Sequence, residues 1–341
     1  MAELQHVAIV GATGVVGQAI LSILTERNFP VEKLSLLASE RSAGGKIDFK
    51  GEPVVIESLA DFDFSGVDVA FFSAGSEASK KYAPIAAAAG VFVVDNTSCF
   101  RYDDSVPLVV PEVNPHALAN VPTGAIVANP NCSTAGIVVA LKPLYDAFGV
   151  KRVNITTLQS VSGGGKAAID ELLAQTTKVL AGEPIDPPAA FSQQMAFNVL
   201  PQIDEFQDNG YTREEMKVVW ETQKMLEDPD IEVNVTAVRV PVLVGHSASV
   251  SIELRDDYTL DQAIEILAKA PGLVIMNDDK PNGYPTPINP VAGADPVYVG
   301  RIRRDISHPN ALNCWVVSDN LRKGAALNSV QIAELWLSDN K

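Results

Sequence analysis

Three cysteines, Cys99, Cys132 and Cys314, are the strongest nucleophiles in the chain, and one of them has an unusual setting. Cys132 stands in Asn129-Pro130-Asn131-Cys132-Ser133-Thr134, at the mouth of a helix and just after a proline that blocks regular structure. A helix N-terminus stabilises a thiolate. An isolated cysteine is ordinarily inert core, but a core cysteine has apolar neighbours and this one is surrounded by polar groups. Cys99 and Cys314 lack that setting and read as structural. A thiol nucleophile needs a base or proton donor, and His246 in Gly245-His246-Ser247 is the candidate, at a sharp turn between two strand-like runs. Taken alone it is an ordinary turn residue; His6 and His308 read as peripheral.

A second chemistry is written in glycine. Gly11-Ala12-Thr13-Gly14-Val15-Val16-Gly17 follows a strand and opens a helix, the context in which backbone N–H groups receive a dinucleotide pyrophosphate. The bland alternative is a glycine turn that serves packing only. Ser39-Glu40-Arg41-Ser42 ends the second strand, where Arg41 and Ser42 suit a 2′-phosphate and favour NADP over NAD. Gln159-Ser160-Val161-Ser162-Gly163-Gly164-Gly165-Lys166 is another glycine-rich turn, able to present backbone donors to a cofactor or a carbonyl oxygen, or simply to bend. Arg239, inside the apolar run Val238-Arg239-Val240-Pro241, either grips a carboxylate bidentately or closes an internal salt bridge. Arg101, after Asn96-Thr97-Ser98, is a phosphate ligand or a surface arginine.

The elements that must position these groups alternate. Strands are expected at residues 7–10, 34–38, 54–56, 67–73 and 91–96, with helices at 18–27 and 79–89 between them, which implies a parallel, doubly wound α/β sheet of the Rossmann kind. After Asn129-Pro130 the pattern changes. Helices at 133–148, 166–180 and 212–226 accompany longer, alternating strands at 152–160, 231–243, 247–255, 298–304 and 311–318, which suit an α+β domain with a mostly antiparallel sheet. The intervening 180–208 and 280–296 read as long loops, and a last apolar helix at 324–337 is expected to return to the first domain. The expected domains are 1–128, completed by 320–341, and 129–319.

A formal charge of −16 repels nucleic acid and anionic lipid, so the partner is a metabolite. No run of about 18 apolar residues suggests a membrane span, and Met1-Ala2-Glu3-Leu4-Gln5-His6 lacks the basic and apolar segments of an export signal. Widely spaced cysteines and four scattered histidines give neither a disulfide framework nor a metal site, which fits a reducing cytoplasm.

Taken together these segments resemble aspartate-semialdehyde dehydrogenases of the bacterial type over nearly the whole chain. The resemblance rests on residues 11–17, Asn-Thr-Ser at 96–98, Asn-Pro-Asn-Cys-Ser-Thr at 129–134, Arg-Val-Pro-Val at 239–242, Gly-His-Ser at 245–247 and Ser-Asp-Asn-Leu-Arg-Lys-Gly-Ala-Ala at 318–326. It implies Cys132 as the nucleophile that becomes acylated, His246 as acid/base partner and Gln159 as the residue orienting substrate. It further implies that Arg239 holds the substrate carboxylate, Glu214 its amino group, and Arg101 with Lys217 the phosphate, Lys224 being a rival for the lysine role. Gly11, Thr13, Gly14, Val15, Val16, Arg41, Ser42, Ser162, Gly163 and Asn320 would contact NADP. The family reduces L-aspartyl 4-phosphate on the route to lysine, methionine and threonine, uses no metal and forms homodimers. One departure is Gly164, where many relatives carry alanine.

Two rivals share parts of this pattern: another acyl-phosphate reductase, such as the N-acetylglutamyl-phosphate type, and a noncatalytic NADP-binding sensor. A short-chain dehydrogenase shares the glycine spacing, but no tyrosine here has lysine four residues on.

Overall fold

The computed structural model describes residues 5–339; the start of the segment read above as lacking an export signal, residues 1–4, lies outside them. The chain folds as two compact units, residues 1–131 with 325–341, and residues 132–324. The chain therefore changes unit at 131/132 and 324/325, a few residues beyond the expected 128/129 and 319/320.

In the first unit the strands are β1 (Gln5–Val10), β2 (Val31–Ala38), β3 (Lys46–Phe49), β4 (Glu52–Ser58), β5 (Val69–Phe72), β6 (Phe92–Asp95) and β7 (Ile126–Ala128). They lie in the order β3-β4-β2-β1-β5-β6-β7. All pairings are parallel except the β3–β4 hairpin at one edge. Three helices cover the sheet: α1 (Val15–Glu26), α2 (Ser76–Ala88) and α7 (Leu327–Asp339). Successive strand residues point to opposite faces, so both must be apolar if both are covered. Accordingly Val7 and Ile9 pack with Ile20, Ile23, Leu24, Val330 and Trp336, while Ala8 and Val10 pack with Ala83 and Ala86. Each fully buried Ile or Leu of that first set contributes roughly 1.5–3 kcal/mol of apolar burial.

In the second unit α3 (Cys132–Phe148) is followed by β8 (Val150–Gln159), α4 (Gly165–Ala181), α5 (Arg213–Leu226), β9 (Glu232–Arg239), β10 (His246–Leu254), α6 (Leu260–Lys269), β11 (Leu273–Ile275), β12 (Val297–Arg304) and β13 (Ala311–Ser318). The sheet runs β11-β12-β13-β10-β8-β9. Its three central pairings are antiparallel, and its two edge pairings, β11–β12 and β8–β9, are parallel. Helix α3, buried at every position from Ser133 to Leu141, packs on β8, β10, β12 and β13. Gly136 permits the approach, since a Cβ there would stand 2.4 Å from Ser318 Oγ.

Several expectations need correction. The strand expected over 231–243 stops at Arg239, because Pro241 two residues on has no N–H for a ladder. His246 is not a turn residue but the first residue of β10; the turn is Gly245, at φ +93°. The last helix begins as a π-helical turn over Arg322–Ala326 and becomes α-helical only at Leu327. Strands β3, β7 and β11 are only three or four residues long and left no periodic signal. Helix α6 did leave one, the capping box formed by Thr259 and Gln262.

Candidate active site

The first unit offers a nucleotide site. Setting aside β3, its parallel strands follow the order of dinucleotide-binding sheets, in which ligands bind beyond the strand carboxyl ends where the order reverses. That point lies between β1 and β5. A crevice of about 620 Å³ opens there, lined by Gly11, Thr13, Gly14, Glu40, Arg41 and Ser73 among others. Gly11 has φ +92°, and a Cβ on it would lie 2.9 Å from Ala74 N, so only glycine brings these two turns together. Helix α1 starts at Val15 with Gly14 as its N-cap and no side chain capping it, which leaves first-turn N–H groups for an anion. Arg41 is exposed at the crevice wall and makes no hydrogen bond among the described residues, a free guanidinium for a 2′-phosphate. Val15 and Val16 can contribute only first-turn backbone, and Ser42 closes a 3-10 turn from Glu40 and is not on the crevice wall. Arg101 also belongs to this unit, buried, with Nη2 donating to the Asn96 carbonyl at 2.9 Å.

The second unit gathers its polar residues at one end of its sheet, because each sits at the end of an element. Gln159 closes β8, Arg239 closes β9 beside it in register, His246 opens β10 and Cys132 opens α3. Cys132 Sγ is 3.2 Å from His246 Nε2. On the far side of the ring, the Ser160 backbone N–H donates to His246 Nδ1 at 3.1 Å. Burial pushes the imidazole down to about 3, helped by the positive charge of Arg239; Glu214 and the Gly245 carbonyl pull weakly the other way. His246 is therefore neutral at physiological pH.

A charge cluster adjoins the pair. Helix α5 is held by a capping box between Thr212 and Glu215, and Glu215 also accepts the Ala237 N–H of β9 at 2.9 Å. That anchoring sets Glu214, next in sequence, against the sheet end. One Glu214 oxygen accepts from Gln159 Nε2 at 3.0 Å and the other from Lys217 Nζ at 3.0 Å. Lys217 also reaches Asp204 at 2.7 Å. Burial works against its charge, but Glu214 and Asp204 outweigh burial and hold Lys217 above the usual lysine range. Arg239 donates from Nη1 to the Ser160 carbonyl at 2.7 Å, and its other N–H groups have no partner among the described residues. Burial lowers its pKa, with Glu214 and Cys132 opposing, and a guanidinium is basic enough to stay cationic. An arginine with idle N–H donors beside a carboxylate is equipped to take an amino-acid backbone, carboxylate on one group and ammonium on the other.

Asn320 is 1% exposed and its side chain is committed within the unit. Its Oδ1 accepts from the Gly245 N–H at 2.9 Å and from Ser160 Oγ at 3.0 Å, and its Nδ2 donates to Ser162 Oγ at 2.9 Å. The network fixes both side chains, and it uses one of the two Asn320 Nδ2 hydrogens. Gly163 lies over the pair: a Cβ there would be 3.0 Å from Arg239 Nη1 and 3.3 Å from His246 Nε2. Gly164, the departure noted above, is packed on Ala168, whose Cβ an alanine would meet at 2.9 Å.

Sequence reasoning passed over two residues here. Ser160 meets His246 Nδ1 through both its backbone N–H and its hydroxyl, each at 3.1 Å, contacts that a serine in a glycine-rich run does not announce. Gly324 abuts the nucleophile's own backbone, and a Cβ on it would stand 2.8 Å from Cys132 Cβ and 2.9 Å from Cys132 O. Those are not flexible tips that can yield. Gly324→Ala is expected to leave the protein folded while lowering kcat by at least about 10-fold, equivalent to about 1.4 kcal/mol; unchanged kcat in steady-state assays would show that α3 moves without consequence.

Cys99 is half-buried, and burial pushes its thiol up, with Asp95 adding to the effect. Cys314 is buried and pushed up to about 12. Neither is poised as a thiolate.

A dinucleotide-type sheet in one unit and a paired cysteine and histidine in the other define a nucleotide-dependent dehydrogenase that works through a thiol. Residues 6–121 match the family model described as semialdehyde dehydrogenase, NAD binding domain, and residues 141–323 match the semialdehyde dehydrogenase, dimerisation domain. The chain is 56% identical over 339 residues to an aspartate-semialdehyde dehydrogenase from a Shewanella species, covering 99% of each chain. It superposes on the crystal structure of aspartate semialdehyde dehydrogenase II from Vibrio cholerae complexed with ASA with a TM-score of 0.97, at 54% identity and covering 100% of both chains. A Candida albicans aspartate semialdehyde dehydrogenase with NADP is similar at 25% identity and a TM-score of 0.78, covering 99% of each chain. The chain belongs to the aspartate-semialdehyde dehydrogenase family.

Proposed function

We propose that this chain converts L-aspartyl 4-phosphate to L-aspartate 4-semialdehyde and phosphate, with NADPH as reductant and a thioester on Cys132 as intermediate. The observation that carries the reading is the sulfur at the first residue of α3, 3.2 Å from His246 Nε2. The helix N-terminus and a hydrogen-bond donor both favour negative charge on that sulfur. Arg239 takes the substrate carboxylate on its idle N–H groups. Glu214 is the carboxylate for the substrate ammonium, and Gln159 and Lys217 fix its plane. Gln159 is itself held by Thr157 Oγ1 at 3.0 Å, so the row is rigid. Arg101 and Lys217 are the cations for the leaving phosphate, and Lys217, not Lys224, is the lysine in contact with Glu214. NADPH, when bound, supplies the hydride that reduces the thioester. The crevice glycines, the uncapped start of α1 and Arg41 fit its phosphates. Forming the thioester first makes sense because its carbonyl accepts hydride far more readily than a carboxylate does.

The second unit is the part through which two copies pair. Among the described residues no helix is long and apolar enough to cross a membrane, and three free thiols suit a cytoplasmic enzyme.

The test is run in the reverse direction with L-aspartate 4-semialdehyde, NADP and phosphate. NADP reduction that needs both semialdehyde and phosphate and disappears on thiol alkylation is expected. Faster turnover of N-acetylglutamate semialdehyde would move the substrate assignment, and NADP binding without turnover of any semialdehyde would leave only a sensor.

A further inference from the structure

Residues 201–211 belong to no helix or named strand, yet the course of this segment is fixed at both ends. On one side Leu200 exchanges both backbone hydrogen bonds with Arg239, at 2.9 and 2.8 Å. On the other, the Glu205 carbonyl accepts from the Arg213 N–H at 2.8 Å, and Phe206 bridges Thr212, the N-cap of α5. The segment is therefore strung between the residue that closes β9 and the start of the helix that bears Glu214 and Lys217. Within it Asp204 has φ +70°, the left-handed region that aspartate and asparagine tolerate better than most side chains. Its Oδ1 accepts the next backbone N–H, of Glu205, at 2.9 Å, and its Oδ2 accepts from Lys217 Nζ at 2.7 Å.

An ammonium carries three donors on a flexible four-carbon stem, so its charge is easily placed and its direction is not. Glu214 takes one donor of Lys217 from the same helix at 3.0 Å, and an i,i+3 pair alone holds a lysine weakly. Asp204 takes a second donor from a different segment of the chain. With two tetrahedral N–H directions tied, the third is fixed, and it has no partner among the described residues.

We propose that Asp204 is a positioning residue for the phosphate, tying Lys217 so that its remaining N–H is aimed before the substrate arrives. The inference rests on the reading of Lys217 as a phosphate cation under the proposed function.

Asp204 also carries a negative charge, which opposes a phosphate anion. Its side chain is 31% exposed against 13% for Lys217, so water screens its repulsion of a more distant group more than its direct contact with the ammonium. Position therefore outweighs repulsion. The charged groups acting on Lys217 are Glu214 of its own helix and Asp204 of the segment before it, while Arg239 of β9 acts on Glu214. Burial alone favours the neutral amine, and the two carboxylates keep it charged. Neutralising Asp204 must then lower the pKa of Lys217. Phosphate binding that needs the charged lysine is present below that pKa and lost as the pH rises through it, so the loss moves to lower pH.

Three variants test this in the reverse direction with L-aspartate 4-semialdehyde, NADP and inorganic phosphate, with circular dichroism as the control for folding. Asp204→Ala is expected to raise KM for phosphate at least about 10-fold while kcat and KM for NADP stay within about 3-fold of wild type. Asp204→Asn keeps the backbone conformation and one acceptor oxygen without the charge, so part of the KM is recovered at about pH 7. Relative to kcat/KM for NADP, its kcat/KM for phosphate is expected to fall at lower pH than in wild type, within about pH 7 to about pH 10. A loop anchor alone would not move that limb. A KM for phosphate that is unchanged in Asp204→Ala, or lower because the acid competes with the anion, would overturn the proposal. So would an Asp204→Asn profile that superposes on wild type. Lys217→Met separates the two readings. If it raises KM for phosphate and Asp204→Ala does not, the positioning role alone fails; if it leaves KM for phosphate unchanged, the phosphate role of Lys217 fails and the proposal with it.

Discussion

Cys132→Ala is expected to lower kcat by at least about 10⁴-fold, the scale seen when a covalent nucleophile is removed. Without sulfur no thioester forms, and direct hydride addition to the acyl phosphate has no group placed to manage it. Cys132→Ser is expected to fail nearly as far. A serine hydroxyl is far less acidic than a thiol and must lose its proton to attack, a loss the thiolate has already made. Stability should change little in either variant, because Cys132 contributes one small side chain at the start of a helix otherwise buried from Ser133 to Leu141. Steady-state rates, with circular dichroism as the control for folding, check both parts. Activity within about 10-fold of wild type in the alanine variant would exclude covalent catalysis.

Arg239→Leu carries the second largest expected effect. The guanidinium lies beside Glu214, donates to Ser160 O at 2.7 Å and keeps donors idle for a ligand. Removing the guanidinium from the buried, hydrogen-bonded pair it forms with the substrate carboxylate costs about 2–5 kcal/mol, which is about 30-fold to several thousand-fold in kcat/KM. Most of it is expected in KM for the amino-acid substrate, with KM for phosphate and NADP nearly unchanged. Arg239→Lys restores the charge but not the planar fork, so it should recover stability better than KM. A variant whose KM rises for phosphate instead would place Arg239 at the leaving group.

How much of this could be read before the structure depends on where the information resides. The covered parallel sheet was legible, because runs such as Val7–Val10 and Val69–Phe72 are apolar on both faces and only a doubly wound sheet hides both. The start of α3 was legible too, since Pro130 and the polar run around Cys132 mark a helix entrance. The edge of β9 was not, because Val240 and Val242 continue the apolar run and Pro241 had to be weighed against them. Least legible was the state of His246. Its Nδ1 meets both the N–H and the hydroxyl of Ser160, 86 residues away, and neither spacing nor composition records such a contact across a fold. Asn320 shows the same limit from the other side. The resemblance assigns it to the cofactor, and its geometry adds a brace between Gly245, Ser160 and Ser162 that no spacing announces. Gly324 has no periodic or charge signal at all, only the absence of a Cβ where one would strike Cys132.

The central claim is that one sulfur carries the acyl group. Acid quenching of the enzyme after mixing with L-aspartyl 4-phosphate in the absence of NADPH, followed by peptide mass spectrometry, tests it most directly. The expected result is a single aspartyl adduct, on the peptide containing Cys132, that disappears when NADPH is added before the quench. An unmodified Cys132 peptide in the absence of NADPH, or an adduct on Cys99 instead, would contradict it.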